Sequence, residues 1–190
     1  LHLYSRDTLE TLHEVRDRIA AIEVDRLRVK PIVKVTGEFW AQTTEGEGNF
    51  RMFQFLEREG AQVMVEPIGT WAMYMLWLAG ATSESRKGLD RPKRRAWELR
   101  KRLGDELAAL AAPYYNVFAK GGEGHMEVAK NIYYTITKKC HMVLSLKPFG
   151  CMPSTQSDGV QSAVMSHFKD MIYLPIETSG EGEVNAHSRV

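Results

Sequence analysis

The sequence predicts an α/β protein with a doubly wound parallel sheet that carries a helical insertion. Short β-branched or apolar runs alternate with amphipathic helical segments between residues 31 and 176, as in parallel sheets whose strands are joined by helices. Residues 31–67 read as strand, loop, helix and strand. Such a crossover is right-handed and makes its two strands parallel.

The individual elements follow from periodicity and from the residues that begin or end helices. Leu9, Leu12, Val15, Ile19 and Ile22 recur at helical spacing and predict an amphipathic helix over residues 7–24. Asn49 is expected to cap a helix that Gly60 ends. Further helices are expected over 70–78, 93–111, 125–139 and 157–168. Strands are expected over 31–36 with an extension toward Ala41, and over 61–66, 142–146 and 171–176.

We therefore divide the chain into an N-terminal helix (1–30) and one α/β domain (31–190), with the helical insertion at about 70–115. The aromatic cluster from Trp71 to Leu78 is expected in the core or at an interface with a further domain. Two glycine-rich loops, 42–48 and 120–124, do not fit a dinucleotide or Walker pattern. They are expected to be turns that need a positive φ; alternatively, their glutamates accept hydrogen bonds from a ligand or from a neighbouring loop.

Composition excludes several classes of function. The chain has 190 residues, is 44% hydrophobic and 26% charged, and has a net charge of +1, which is ordinary for a globular protein. No apolar run reaches the roughly 18 residues of a membrane span. Two cysteines do not form a secreted disulfide framework, so a cytoplasmic location is expected. We also interpret the chain as a piece of a longer protein.

The basic segment 86–102 holds nine Lys and Arg against two acidic residues. A helix of this charge binds nucleic acid, a phosphorylated ligand or an acidic partner, or forms a solvated face. Trp97 and Leu99 interleave without forming a platform of several aromatic residues, so nucleic-acid binding is not expected.

Candidate site residues cluster after the last two predicted strands. Cys151 lies in the Pro- and Gly-bounded loop that follows the strand 142–146, and ligands of open α/β sheets bind at this edge. The strand 171–176 leads into an acidic loop with Glu177, Glu181, Glu183 and His187. Cys151 is a candidate metal ligand or nucleophile, or else a half-buried free cysteine. As a nucleophile it needs a base, for which His187, after the following strand, is the candidate. The carboxylates are candidates for a hard cation or for a solvated loop, whereas Cys140, at a helix–strand junction, is expected to be structural.

Several segments resemble the 2-hydroxyacyl-CoA dehydratase superfamily. They are Thr36-Gly-Glu-Phe-Trp40, Gly122-Glu-Gly-His-Met126, Leu146-Lys-Pro-Phe-Gly-Cys-Met-Pro153, Ser157-Asp-Gly159 and the stretch from Glu177 to Asn185. Within the superfamily the chain is most similar to the carboxyl-terminal part of large BadF/BadG/BcrA/BcrD-type activators of 2-hydroxyglutaryl-CoA dehydratase. The resemblance covers about residues 30–190.

The resemblance implies a flavodoxin-like domain of an iron–sulfur protein. It implies that Cys151 is one ligand of a [4Fe-4S] or double-cubane cluster in the full-length protein, and that Glu181, Glu183 and His187 support the cluster or an interface. It also implies ATP-driven, low-potential electron transfer to a CoA-ester dehydratase or reductase. The implied partners are the other domains of the parent chain, an ATPase activase module and acyl-CoA, and a homodimer is compatible with them. The domain is expected to be inactive alone. The rival hypothesis is a metal-free module that docks other domains.

Overall fold

The computed structural model describes residues 5–25, 27–78, 91–116, 118–119, 122–180 and 182–190. Within these ranges the chain forms four strands and eight α-helices. The strands are β1 (Ile32–Gly37), β2 (Gln62–Val65), β3 (Met142–Pro148) and β4 (Tyr173–Thr178). The helices are α1 (Arg6–Ala20), α2 (Phe39–Thr43), α3 (Met52–Arg58), α4 (Ile68–Leu78), α5 (Arg91–Ala111), α6 (Gly124–Ile136), α7 (Met152–His167) and α8 (Glu183–Arg189).

The four strands form one parallel sheet in the order β2-β1-β3-β4. The predicted fold class is confirmed: the sheet is flanked by helices and is consistent with a flavodoxin-like, doubly wound topology. Strand β2 lies next to β1 on one side, and the chain then crosses back to place β3 next to β1 on the other side. The carboxyl ends of β1 and β3 therefore flank the topological switch point, where open α/β sheets form a crevice.

The two faces of the sheet differ in chemistry. One face packs Val33, Val35, Leu144 and Leu146 against α2, α3 and α8 in an apolar cluster. On the opposite face, which α6 and α7 cover, the alternate strand positions include polar side chains that are at most 4% exposed. These are Lys34, Thr36, Ser145 and Lys147. Because successive strand residues point to opposite faces, one strand such as Val33-Lys34-Val35 serves both environments.

The β2–β3 crossover contains α4, α5 and α6. Tyr74 of α4, Leu107 and Ala111 of α5, and Met126 of α6 belong to one buried cluster. Trp71, Met75 and Trp77 are partly buried against the same cluster, so these members of the predicted aromatic cluster contribute to the core.

Two expectations for the residues that follow β1 are wrong. The strand does not extend toward Ala41, because the Glu38 carboxylate accepts the N–H groups of Trp40 and Ala41 at 2.8 and 3.1 Å and caps α2. Residues 42–48 are not one open loop, since α2 occupies the first of them and a 3-10 turn spans Glu47–Asn49.

Asn49 does not cap α3. Its side chain binds Gly46, Ala41 and Glu45 instead, and the Glu45 carboxylate accepts the N–H groups of Phe53 and Gln54 at the start of α3. Glu45 thus caps the start of α3, and its partners belong to its own loop and to the helix that follows, not to a ligand or a neighbouring loop.

Two later boundaries are also corrected. Helix α7 begins at Met152, five residues before the expected start, and the tail after β4 contains the helix α8 rather than only a loop. Pro153 lies in the first turn of α7, where proline is favoured because its missing N–H has no helical partner there.

The amphipathic helix α1 forms close to its predicted position but contains no buried residue. Leu9, Leu12, Val15 and Ile19 are between 45% and 62% exposed. The apolar stripe that predicted the helix is thus not covered by the described part of the chain. No helix in the described ranges combines the length and the apolarity needed to cross a bilayer.

Candidate functional site

Cys151 lies where β3 passes into α7. The strand ends at Pro148, Gly150 turns the chain with a φ of +73°, and Cys151 occupies the N-cap position of α7. Its side chain is partly buried and free of any disulfide. The neighbouring Phe149 and Met152 are 74% and 67% exposed, so the thiol lies in an accessible, apolar part of the carboxyl edge.

The end of β1 approaches this loop from the other side of the switch point. Gly37 has a φ of +108°, and a Cβ at this position would overlap the carbonyl oxygen of Leu146 on β3. The N–H of Glu38 donates to that same carbonyl at 2.7 Å. Only glycine permits so close an approach of two backbones, and the contact fixes Glu38 beside the carboxyl end of β3.

Helix α6 adds two further carboxylates to this edge. Glu127 is 5% exposed. It accepts a hydrogen bond from the hydroxyl of Ser154 at 2.8 Å and another from the hydroxyl of Ser157. Burial raises the pKa of Glu123, and the negative charges of Glu127 and Glu38 raise it further. Glu123 therefore holds a proton more readily than an ordinary glutamate does.

A buried ionic network lies deeper on the same face. Glu66, directly after β2, pairs with Lys34 at 3.0 Å and with Lys130 at 3.1 Å, and it accepts the Tyr134 hydroxyl at 2.5 Å. Burial raises the pKa of Glu66, but the two lysines and the tyrosine outweigh burial and hold that pKa below its ordinary value. Burial lowers the pKa of Lys130, which Glu66 partly offsets.

A second ion pair, between a buried lysine and a partly exposed aspartate, connects β3 with α7 and β4. Lys147 is fully buried and its Nζ lies 2.5 Å from Oδ1 of Asp158, although the two groups are not aligned as a hydrogen bond. The Tyr173 hydroxyl donates to the same oxygen at 2.8 Å. Burial, followed by the charge of Asp158, raises the pKa of Tyr173. Lys147 thus connects the strand that leads to Cys151 with the helix that follows it.

His125, the second residue of α6, is 1% exposed and packs edge-on against Tyr115 with 4.7 Å between the ring centroids. Neither ring nitrogen makes a well-aligned hydrogen bond within the described residues. Burial lowers its pKa, and the nearby backbone of Asn116 opposes this weakly. The ring is therefore neutral near pH 7.

The other sequence-predicted residues lie elsewhere or have local roles. His187 binds the Phe50 carbonyl oxygen at 2.7 Å and stacks on Phe55 with 4.0 Å between centroids. Its helix α8 and the Cys151 helix α7 pack on opposite faces of the sheet, so the structure does not bring this imidazole to the thiol. Glu183 lies 3.8 Å from Arg51 on the surface. Glu181 lies outside the described residues.

Cys140 precedes β3 and therefore lies at the amino edge, opposite Cys151. Most side chains of the basic segment 86–102 lie outside the described residues; Lys101 and Arg102 form ion pairs with Asp105 and Glu106 on α5. Among the described residues, no group of three or more His, Cys, Asp or Glu side chains is arranged to hold a metal ion.

Sequence reasoning missed the charged side chains that lie between the sheet and the helices α6 and α7. The missed residues are Lys34, Glu66, Glu127, Lys130, Lys147 and Asp158. One signal was present: Lys34 interrupts a β-branched run and Lys147 ends an apolar one, and a charged residue at a core-facing strand position requires a buried partner. The partners themselves come from α6, α7 and the end of β2, which are distant in sequence.

Comparison of the chain with protein-family models, with curated proteins and with solved structures found no significant match.

Proposed function

We propose that these residues form one domain of a larger iron–sulfur protein in which Cys151 is a cluster ligand. The protein would belong to an ATP-driven system that passes low-potential electrons to a 2-hydroxyacyl-CoA dehydratase or reductase. The observation that carries the proposal is the partly buried Cys151 thiol at the carboxyl edge of a central strand, beside the switch point at which such sheets bind ligands. The resemblance of the surrounding segments to the dehydratase superfamily supports it.

The residues present fit one ligand of a cluster and not a complete site. A cluster of this kind is held by several cysteine thiolates, whereas the sequence has two cysteines and they lie at opposite edges of β3. The remaining ligands must therefore come from other segments of the parent chain or from a partner, which is why the proposal includes docking to further domains. When bound, the cluster would supply one-electron transfer.

The chain's own contribution is to hold the thiol and shape its surroundings. Exposed Phe149 and Met152 flank Cys151 and are suited to exclude water once a partner covers them. Water exclusion and hydrogen bonding are the protein's means of setting a cluster potential. A cytoplasmic location is part of the proposal, because reduced thiols persist there.

Anaerobic expression of the full-length parent protein tests the assignment. Cys151→Ala should reduce iron content and the visible absorbance of the cluster, whereas Cys140→Ala, at the opposite edge, should leave both unchanged. Unchanged iron and absorbance in Cys151→Ala would show that Cys151 is not a ligand.

The alternative function is a metal-free module that docks other domains. The exposed apolar stripe of α1 favours it, because stripes of this kind usually contact a partner. The cysteine content of the parent sequence separates the two functions. A parent without two or three further cysteines would favour docking, whereas their presence would favour the cluster.

A further inference from the structure

We propose that Glu127 is the positioning residue for Cys151: it anchors the first two turns of α7 and so fixes where the thiol lies at the edge of the sheet. The importance of this placement for chemistry rests on the function proposed above. The anchoring itself depends only on contacts within this chain.

Glu127 reaches α7 from the first turn of α6. Its two carboxylate oxygens bind two different hydroxyls of α7, Ser154 through Oε1 and Ser157 through Oε2. All three side chains are at most 5% exposed. Hydrogen bonds from hydroxyls to a buried carboxylate are among the stronger ones in proteins, and two of them on one helix restrict its translation and its rotation.

Two neighbouring contacts act in the same direction. The Tyr115 hydroxyl donates to Gln156 Oε1 at 3.0 Å. Gly122 packs against Pro153 so closely that an added Cβ would lie 2.7 Å from the proline Cβ. The start of α7 is therefore held from the α5–α6 side at three points, of which Glu127 provides the only charge.

The position of Cys151 depends on the first turn of α7. Its carbonyl oxygen accepts both the N–H and the hydroxyl of Thr155, each at 2.9 Å. Its side chain makes no capping hydrogen bond to α7. Toward β3, the Cys151 N–H donates to the Pro148 carbonyl oxygen at 3.2 Å, and the position that a Cβ of Gly150 would occupy is open. Because the carbonyl oxygen of Cys151 is held by the first turn of α7, displacement of that turn displaces the thiol.

The experiment uses the 190-residue chain with Cys140→Ala, so that Cys151 is its one thiol. Two quantities are measured: the rate of labelling of Cys151 by iodoacetamide, and the amide hydrogen exchange of a peptide covering residues 152–158. Glu127→Gln keeps the size of the side chain but removes its charge. We expect it to accelerate exchange by roughly tenfold, since loss of a charge-assisted hydrogen bond raises local opening by about that factor, and to accelerate labelling in parallel.

Glu66→Gln is the matched control. Glu66 is as deeply buried as Glu127 and also contacts α6, through Lys130 and Tyr134, but all of its described partners lie outside α7. After the rates are corrected for the loss of global stability measured for each variant, we expect Glu66→Gln to leave labelling of Cys151 and exchange of 152–158 unchanged. An equal acceleration in both variants would mean that general destabilisation, not anchoring, controls the thiol, and would overturn the proposal.

Ser154→Ala tests the same contact from the other side and keeps the proposal testable if Glu127→Gln does not fold. It should accelerate labelling by a smaller factor, because Ser157 still binds the carboxylate. In the double variant Glu127→Gln/Ser154→Ala, the acceleration of labelling should be smaller than the product of the two single accelerations, as expected for residues in direct contact. Unchanged labelling in Ser154→Ala together with unchanged labelling in any folded Glu127 variant would refute the anchoring. No iron is used, so this result and the cluster assignment can fail independently.

Discussion

Glu66 pairs with two buried lysines, Lys34 of β1 and Lys130 of α6, and its loss should be costly. Removal of one partner of a buried ion pair leaves an uncompensated charge in a poorly solvated interior, at a cost of about 3–5 kcal/mol. Because Lys34 and Lys130 are both within 3.1 Å of Glu66, we expect Glu66→Gln to lower the free energy of unfolding by that order. Urea unfolding followed by circular dichroism measures the difference.

The exposed pair between Arg6 and Glu10 provides the comparison. Its atoms are 2.8 Å apart, but both side chains are largely solvated. Exposed pairs contribute about 0–1 kcal/mol, so Glu10→Gln should shift the urea midpoint little. Equal shifts in the two variants would show that the buried network does not stabilise the fold.

Glu66 and Glu123 should give stability opposite dependences on pH. The pKa of Glu66 is lowered in the folded protein, so its stabilisation is present above the unfolded-state value, about 4.3, and is lost as the pH falls through the folded-state value. The pKa of Glu123 is raised, first by burial. Its ionisation therefore penalises the folded state at pH 7, and the penalty disappears as the pH falls toward the unfolded-state value.

We accordingly expect Glu123→Gln to stabilise the protein at pH 7 and to have little effect near pH 4. The destabilisation by Glu66→Gln should instead be largest at pH 7 and should narrow below about pH 4. Urea titrations of the two variants and of the unsubstituted chain at both pH values give the comparison. A destabilised Glu123→Gln at pH 7 would contradict the electrostatic description of the carboxyl edge.

At the scale of the elements, the contact between β1 and β3 depends on Gly37. An added Cβ would overlap the Leu146 backbone, which cannot rotate away as a flexible side chain can, and the φ of +108° is strained for any other residue. Overpacking and an unfavourable φ each cost about 1–3 kcal/mol. We expect Gly37→Ala to lower the melting temperature strongly or to prevent folding, as measured by calorimetry.

Gly48 is the matched control for Gly37. It has open space at the Cβ position and a φ outside the left-handed region. Gly48→Ala should therefore be tolerated. If it destabilises the chain as much as Gly37→Ala does, the loss at position 37 does not come from the backbone contact.

The elements that sequence predicted best are those whose pattern is local. Runs of apolar and β-branched residues located most of the strand ends to within two residues. They could do so because a buried strand must be apolar on at least one face. The early start of α7 was missed because its first turn has no capping side chain. The helix α8 was missed because its sequence is polar, with Ala186 as its one buried residue.

At the scale of the whole molecule, the sheet has one apolar face and one face on which buried polar and charged side chains lie beside a second apolar cluster. Sequence predicted that Cys151 follows a strand that ends at the ligand-binding edge, since that depends on order along the chain. It did not predict that Glu127 binds Ser154 and Ser157, because a contact across 27 and 30 residues depends on how α6 and α7 pack. It did not place His187 relative to Cys151, because position in sequence after the carboxyl edge does not determine which face of the sheet a helix covers.

The two cysteines lie at opposite edges of the sheet, and their reactivity toward alkylating reagents should differ accordingly. The seven residues of β3 separate them, and at about 3.3 Å per residue this places them roughly 20 Å apart, well beyond the Cα separation of about 7 Å that a disulfide permits.

Burial raises the pKa of the Cys140 thiol, and the thiolate is the form that reacts. We expect native protein at pH 7 to be alkylated at Cys151 before Cys140, and mild oxidation to form no internal disulfide. Mass spectrometry of peptides detects both outcomes. Unfolding in urea should equalise the two rates, because the difference comes from burial in the folded sheet. Faster labelling of native Cys140, or a Cys140–Cys151 bridge, would contradict the placement of the two thiols at opposite ends of β3.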